Sequence, residues 1–155
     1  MSSSLERHMP RLCVISALML AAPGLLSADP EEHPPSELIG VWQGTSLCTD
    51  KVAAPACTDE VVVYEFTAGD AGKVHWKADK VVDGERQTMG ELDLDWDEGD
   101  ACWKGELQGP RVHTVWCLTV KEAELTGSGW LLPGKQTVRK IEARRDFGDP
   151  ARRKR

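Results

Sequence analysis

Hydrophobic and polar residues alternate along most of this chain between Gly40 and Arg145, and turn sequences such as Asp83-Gly84 and Gly109-Pro110 interrupt the alternation. Alternation with a period of two is typical of β-strands that are buried on one face. Short strands at regular spacing predict an all-β sandwich or barrel. We predict eight strands, at 38–48, 60–67, 73–82, 86–97, 101–108, 111–121, 124–132 and 136–145.

The alternation also predicts which side chains face the inside of the sheet. In the third strand, Val74 and Trp76 share one face and His75 lies on the other. One apolar and one charged face per strand is the pattern of an antiparallel sheet that is wetted on one side. Closure into a barrel removes exposed edge strands. We therefore predict an eight-stranded antiparallel up-and-down barrel.

The first 28 residues have the composition of a secretory signal peptide. Arg7 and Arg11 precede the apolar run 12–22, and small residues follow it. This run is too short for a membrane span, which needs about 20 apolar residues. Cleavage is expected after Ala28 or, alternatively, after Gly24. Either cleavage would release a secreted or periplasmic protein.

Two polar segments flank the predicted barrel, which we place at 37–145. The proline-rich segment 29–36 predicts a flexible leader. The segment 146–155 is a basic tail, and we expect it to be disordered because chain termini are poorly ordered unless they are tied down. The chain as a whole has a formal net charge of −6, which argues against nucleic acid as a partner.

Four cysteines remain once the signal peptide, with Cys13, is removed. An even number of cysteines in an exported chain predicts two disulfides. Three pairings are possible, and proximity in the sequence favours Cys48–Cys57 and Cys102–Cys117. A zinc site is disfavoured because neither pair has the tight Cys-x-x-Cys spacing that such sites prefer.

The second cysteine pair also predicts a register for the hairpin around Gly109-Pro110. If Cys102 lies directly opposite Cys117, then Trp103 lies opposite Trp116. In that register the disulfide is on the outer face of the sheet and both tryptophans point inward.

No catalytic or metal-binding motif emerges from the sequence. The acidic segment 93–100 lacks the glycine and the glutamate that an EF-hand loop carries at its sixth and twelfth positions. No Gly-x-Ser-x-Gly elbow or Ser-His-Asp spacing is present. Glu106 and His113 are a predicted cross-strand pair on the outer surface and the one pair that an enzyme could use. We therefore predict a non-enzyme without a cofactor or a metal.

Tryptophan is the distinctive residue type, with six copies against one tyrosine and two phenylalanines. An eight-stranded barrel has room either for side chains alone or for one small ligand. The rings therefore either fill the core or line a cavity for a small apolar ligand. The predicted ligand-binding residues are Tyr64, Trp76, Trp96, Trp103 and Trp116.

The sequence Gly40-Val41-Trp42 at the head of the first strand resembles the Gly-x-Trp signature of the lipocalins and their calycin relatives. The resemblance implies an eight-stranded meander in which Trp42 closes one end and an arginine of the last strand packs over it. Arg139 is the expected partner, with Arg144 as the alternative. The wider layout resembles that of small exported bacterial proteins with a lipocalin-like domain, in the segments Gly40–Gly44, Cys57–Tyr64 and Leu131–Lys135.

We expect an exported, monomeric, non-catalytic binding module that carries a small apolar ligand in a tryptophan-lined barrel. The alternative is a filled barrel that acts through its acidic surface, either on an envelope protein or as an inhibitor. In that case Asp93, Asp95 and Asp97 would steer a basic partner. The two hypotheses differ in whether the barrel holds a cavity that is open at one end.

Overall fold

The structure, a computed structural model, describes residues 33–110 and 112–148. Within them, eight antiparallel strands pair in sequence order, and the last strand pairs with the first to close a barrel. The strands are β1 (Gly40–Cys48), β2 (Glu60–Ala68), β3 (Val74–Val82), β4 (Glu85–Asp97), β5 (Cys102–Gln108), β6 (His113–Lys121), β7 (Glu124–Leu131) and β8 (Gln136–Arg145). The predicted eight-stranded up-and-down barrel is confirmed, with every strand within two residues of its predicted bounds.

Both predicted disulfides are present. Cys48–Cys57 joins the end of β1 to the loop that precedes β2, and Cys102–Cys117 joins β5 to β6. The predicted signal peptide at 1–28 and most of the predicted basic tail at 146–155 lie outside the described residues. Among the described residues, no helix is both long and apolar enough to cross a membrane.

The barrel has two ends, and they differ in what covers them. At one end, where β1 starts and β8 finishes, residues 33–39 contact side chains of several strands, and we call this the closed end. The Pro35–Glu37 segment forms a turn of 3-10 helix there, and Leu38, which follows it, is completely buried. The opposite end, where β1 finishes and β8 starts, is the open end.

Trp42 lies at the closed end, and the arginine that covers it is Arg145. The Arg145 guanidinium carbon lies 4.3 Å from the centroid of the Trp42 ring, and the group also donates hydrogen bonds to the carbonyls of Glu37 and Ile39. The prediction of Arg139 for this position was wrong. In the β1–β8 register Trp42 lies opposite Arg145, whereas Arg139 lies opposite Cys48 at the open end.

Both Arg139 and Arg145 face the barrel interior because they are six positions apart on β8. Alternation therefore could not tell which of the two reaches Trp42. The alternative, Arg144, faces outward and forms a surface ion pair with Glu124 at 2.9 Å.

The described part of the predicted leader packs on the barrel and is not a free segment. The ring of His33 stacks on Trp96, with 3.7 Å between the ring centroids. Four residues on, the Glu37 carboxylate accepts a hydrogen bond of 3.0 Å from Nε1 of Trp103. Two tryptophans of the barrel wall therefore hold this segment across the closed end.

The core consists of the inward-facing side chains that the alternation predicts. Trp42, Trp76 and Trp103 are almost completely buried, together with Tyr64 and Phe66. Each buried aromatic side chain of this size removes roughly 150–250 Å² from water, so these five rings account for much of the hydrophobic stabilisation. Trp130 pairs with Val115, the neighbour of inward-facing Trp116, and so lies on the outer face.

The register of the β5–β6 hairpin differs from the prediction by two residues. Trp103 lies opposite Leu118, and Trp116 lies opposite Gly105, so the two tryptophans are not a facing pair. The disulfide accordingly joins diagonal neighbours, with 5.6 Å between the Cα atoms of Cys102 and Cys117. A slip of two residues preserves the faces, so the inward direction of both tryptophans was predicted correctly.

Space inside the barrel gives the physical reason for the observed register. A Trp103–Trp116 pair would place two indoles opposite each other in a narrow interior. In the observed register Trp116 has Gly105 on one neighbouring strand and Gly129 on the other. A Cβ atom added at Gly129 would lie 2.6 Å from the Trp116 ring, so the glycine is what admits the indole.

Candidate ligand-binding site

A cavity of about 240 Å³ enters the barrel at the open end. Every strand except β7 contributes lining residues, and most of them are inward-facing side chains near the open ends of their strands. The cavity has three distinct parts. We call them the aromatic floor (Tyr64, Trp76 and Trp116), the apolar rim (Met89, Leu107 and Val112) and the polar wall (Ser46, Glu60 and Arg139).

The aromatic floor is built from edge-to-face contacts centred on Trp76. Its ring centroid lies 5.0 Å from that of Tyr64 and 5.5 Å from that of Trp116, with interplanar angles of 88° and 86°. Tyr64 and Trp76 are buried, whereas Trp116 is partly exposed. Burial raises the pKa of the Tyr64 phenol well above its ordinary value, so the floor is uncharged at neutral pH.

The apolar rim surrounds the mouth of the cavity and is open to water. Met89, Leu107 and Val112 are 39%, 37% and 50% exposed. Met89 reaches the rim because β4 contains a bulge, in which Gly90 pairs with Ala78 and Thr88 pairs with Asp79. Exposed apolar side chains around a concave mouth are a common feature of sites that bind apolar ligands.

The bulge is held by Asp79, a buried carboxylate on the outer side of β3. It accepts hydrogen bonds from Nε of Arg86 at 2.7 Å and from Oγ1 of Thr88 at 2.8 Å. Burial alone would raise the pKa of Asp79, but the hydrogen bonds from Thr88 and Arg86 outweigh it and lower that pKa. Asp79 thus contacts the part of β4 that places Met89 at the mouth.

The polar wall is a nearly buried ion pair with a hydroxyl beside it. Nη1 of Arg139 lies 3.0 Å from the Glu60 carboxylate and donates a 3.0 Å hydrogen bond to Oγ of Ser46. The side chains of Arg139 and Glu60 are 17% and 13% exposed. Nη1 also contacts the carbonyl oxygen of Thr58 at 3.3 Å. Arg139 therefore joins β8 to β1 and to the segment that leads into β2.

The Cys48–Cys57 disulfide supports this wall from outside. It anchors the 49–59 loop, and the Asp59 carboxylate in that loop accepts a hydrogen bond from the backbone N–H of Cys48 at 2.8 Å. Thr58, whose carbonyl contacts Arg139, lies directly between the disulfide and Asp59. A covalent link thus fixes the backbone on which the polar wall is built.

The structure brings three of the five predicted ligand-binding residues to the cavity. Tyr64, Trp76 and Trp116 form its floor, whereas Trp96 and Trp103 do not line it. These two lie at the closed end, with 5.7 Å between their ring centroids. Alternation predicts the face on which a side chain lies but not its height along the barrel.

The polar wall and the apolar rim were not singled out as site residues from the sequence. Arg139 was predicted to cover Trp42, and its position in the cavity corrects that assignment. The sequence does contain a signal for the residues of the polar wall and the apolar rim, which is their distance from a strand end. Ser46, Glu60, Leu107 and Arg139 all lie within three residues of the open end of a strand.

The acidic outer face is largely paired with cationic side chains. Asp93 contacts His75, Asp95 contacts Lys73 and Asp97 contacts Lys104, each at 2.8 Å. The hydrogen bond that His75 makes to the Asp93 carboxylate raises the pKa of His75. Among the described residues, no group of three or more His, Cys, Asp or Glu side chains is arranged to hold a metal ion.

The predicted Glu106–His113 pair is in contact at 2.9 Å, although the two residues are diagonal rather than opposite. It lies on the outer surface and has no nucleophile in contact with it among the described residues. The geometry is that of a hydrogen-bonded pair on the surface.

Comparison with protein-family models, with curated proteins and with solved structures found no match for this chain.

Proposed function

We propose that this protein is an exported binding module that carries a small, mainly apolar ligand in the cavity at the open end. The observation that carries the proposal is an aromatic floor beneath an exposed apolar rim, in a barrel whose other end is covered. Concave sites of this kind bury apolar surface of the ligand, and a few polar groups fix its orientation.

The size of the cavity limits the ligand. Its volume of about 240 Å³ lies below the roughly 300–1,000 Å³ that is common for sites that enclose drug-sized molecules. A molecule with the bulk of a short alkyl chain or a single substituted ring fits this volume. A retinoid or haem would leave most of its surface outside the rim.

Export and a relationship to the lipocalins belong to the same proposal. The signal-like N-terminus and the two disulfides support an oxidising compartment. Gly40-Val41-Trp42 on the first strand, with Arg145 of the last strand over the Trp42 ring, supports a lipocalin-like barrel. The alternative of a filled barrel acting through an acidic surface has less support, because the surface aspartates Asp93, Asp95 and Asp97 are already paired.

Tryptophan emission tests the proposal directly because Trp76 and Trp116 form the cavity floor. We expect medium-chain alcohols and ketones to change the emission in a saturable way. Gly90→Leu fills the cavity, since a Cβ at Gly90 meets only the end of Leu107, at 3.5 Å. This variant should weaken binding at least about tenfold, as a filled cavity leaves no room for the ligand.

Glu91→Leu is the matched control, because it adds the same side chain to the same strand on the outer face. It should bind as the wild type does. No saturable change with any ligand, or equal binding by Gly90→Leu and wild type, would remove the cavity as the functional site.

A further inference from the structure

The polar wall shows what chemistry the ligand presents to the protein. Its two charged groups, Arg139 and Glu60, neutralise each other at 3.0 Å, and both side chains are mostly buried. The wall of the cavity therefore has no net charge. A ligand that enters it gains no attraction from an unpaired ion.

Arg139 in the polar wall nevertheless has N–H groups that donate no hydrogen bond to a described residue. A guanidinium carries five N–H groups, and every hydrogen bond that Arg139 makes to a described residue comes from Nη1. Neither Nε nor Nη2 donates to any residue in the described ranges. In the floor, Nε1 of Trp76 is buried without a partner among the described residues. A ligand oxygen that reaches Nε or Nη2 of Arg139 can accept the hydrogen bonds that these groups do not make to the described residues.

An anionic ligand fits this wall poorly. A carboxylate that approaches Arg139 also approaches the Glu60 carboxylate that already neutralises it. Like charges repel strongly where water is largely excluded, and both anions would also lose hydration. A carbonyl or hydroxyl oxygen accepts the same hydrogen bonds without adding charge.

Building on the proposed function, we propose that the ligand is an uncharged amphiphile with a small apolar body and one neutral acceptor oxygen. The apolar body packs on Trp76 and Trp116 under the rim, and the oxygen accepts from Arg139. Ketones, aldehydes, esters and alcohols of medium chain length belong to this class. Glu60 acts as a selectivity residue that excludes carboxylates of the same shape.

Three probes of similar length test the assignment, with affinities measured by tryptophan emission at pH 7.5. They are 2-nonanone, which is a neutral acceptor, octanoate, which is an anion, and 1-chlorooctane, which is neutral but a poor acceptor. Wild type should bind 2-nonanone at least about tenfold more tightly than octanoate, because like-charge repulsion penalises the anion. It should bind 1-chlorooctane about fivefold more weakly than 2-nonanone, which is the expected effect of one lost hydrogen bond.

Two variants test the role of Glu60. Glu60→Gln leaves the charge of Arg139 unbalanced, so the affinity for octanoate should rise at least about tenfold while that for 2-nonanone changes little. Glu60→Asp keeps the negative charge and should keep the wild-type preference. The wild-type comparison requires no variant to fold, so it decides the ligand class even if Glu60→Gln is unstable.

The outcomes separate this inference from the proposed function. If wild type binds octanoate or 1-chlorooctane as tightly as 2-nonanone, the cavity binds ligands but the assigned class is wrong. If Glu60→Gln folds and keeps the wild-type preference, Glu60 is not the selectivity residue. If none of the three probes binds, the proposed function fails and this inference fails with it.

Discussion

The closed and open ends of the barrel use similar residues in different ways. Each end has tryptophan rings and an inward-facing arginine of β8. At the closed end Arg145 covers Trp42 and donates to backbone carbonyls of the segment that crosses the barrel. At the open end Arg139 pairs with Glu60 beside a cavity. Coverage by residues 33–39 is what turns one end into core, whereas the other end stays open to the cavity.

Hydrogen bonding of the buried indoles differs only in part between the two ends. Trp42 donates to the carbonyl of Leu38 at 2.8 Å, and Trp103 donates to Glu37. Trp96 is the exception at the closed end, since its Nε1 has no partner among the described residues. At the open end, Nε1 of Trp76 is buried without a partner among the described residues, and every hydrogen bond of Arg139 to a described residue comes from Nη1. Unsatisfied buried donors are uncommon in folded proteins.

The largest expected effect comes from exchanging one tryptophan at each end for alanine. Trp42→Ala removes a fully buried indole with its hydrogen bond and its Arg145 contact, so it should cost about 3–5 kcal/mol of unfolding free energy. Trp116→Ala should cost only about 1–2 kcal/mol because this ring is partly exposed. Urea denaturation of both variants measures the difference.

The same two substitutions should affect ligand affinity in the opposite order to their effects on stability. Trp116→Ala should weaken the binding of 2-nonanone strongly, whereas Trp42→Ala should leave it nearly unchanged at temperatures where the variant is folded. Equal stability losses, or a loss of binding in Trp42→Ala alone, would contradict the division between the two ends.

The disulfides provide the next comparison because one lies near each end. Replacing either pair by alanines should cost about 2–4 kcal/mol, since each closes a short loop in the unfolded chain. Loss of Cys48–Cys57 should also weaken ligand binding, because it releases the loop that supports Arg139. Loss of Cys102–Cys117 should leave affinity unchanged. Thermal unfolding and emission titrations on the two double variants check this, and an unchanged melting temperature in both would contradict it.

A smaller, pH-dependent effect on the free energy of unfolding is expected from substitution of Asp79, which holds the β4 bulge behind Met89. At pH 7, Asp79→Asn should cost about 1–3 kcal/mol because it weakens the hydrogen bonds from Arg86 and Thr88. The pKa of Asp79 is lowered in the folded protein, so its stabilisation is complete above the unfolded value of about 3.9 and is lost as the pH falls through the folded value.

Denaturation of Asp79→Asn and wild type at several pH values measures this effect. Their stabilities should converge in acid. Thr88→Val removes one donor and should produce a smaller loss at pH 7. A difference between wild type and Asp79→Asn that stays constant down to pH 2 would show that the carboxylate charge is not what matters.

The strands and their faces could be predicted because a period of two is visible in the sequence. Val74 and Trp76 lie on the opposite face from His75 in any β-strand, irrespective of how that strand pairs with its neighbours. The same period explains why the register of the β5–β6 hairpin could not be predicted. A slip of two residues in the β5–β6 hairpin leaves every face unchanged, so no pattern separates Trp116 opposite Trp103 from Trp116 opposite Gly105.

The position of a side chain along the barrel axis could not be predicted from the sequence either. Arg139 and Arg145 face inward from one strand, and only the β1–β8 register decides that Arg145 meets Trp42. For the same reason Trp103 was grouped with Trp76 and Trp116, although it lies at the other end. These assignments depend on how eight strands are staggered around a closed barrel, which is a property of the whole sheet.

The most direct test of the account follows the indole N–H signals of the tryptophans by NMR while 2-nonanone is added. We predict saturable shifts for Trp76 and Trp116 at the open end and nearly constant signals for Trp42 and Trp103 at the closed end. Signals that do not move at all, or that move equally at both ends, would contradict a ligand site confined to the open end.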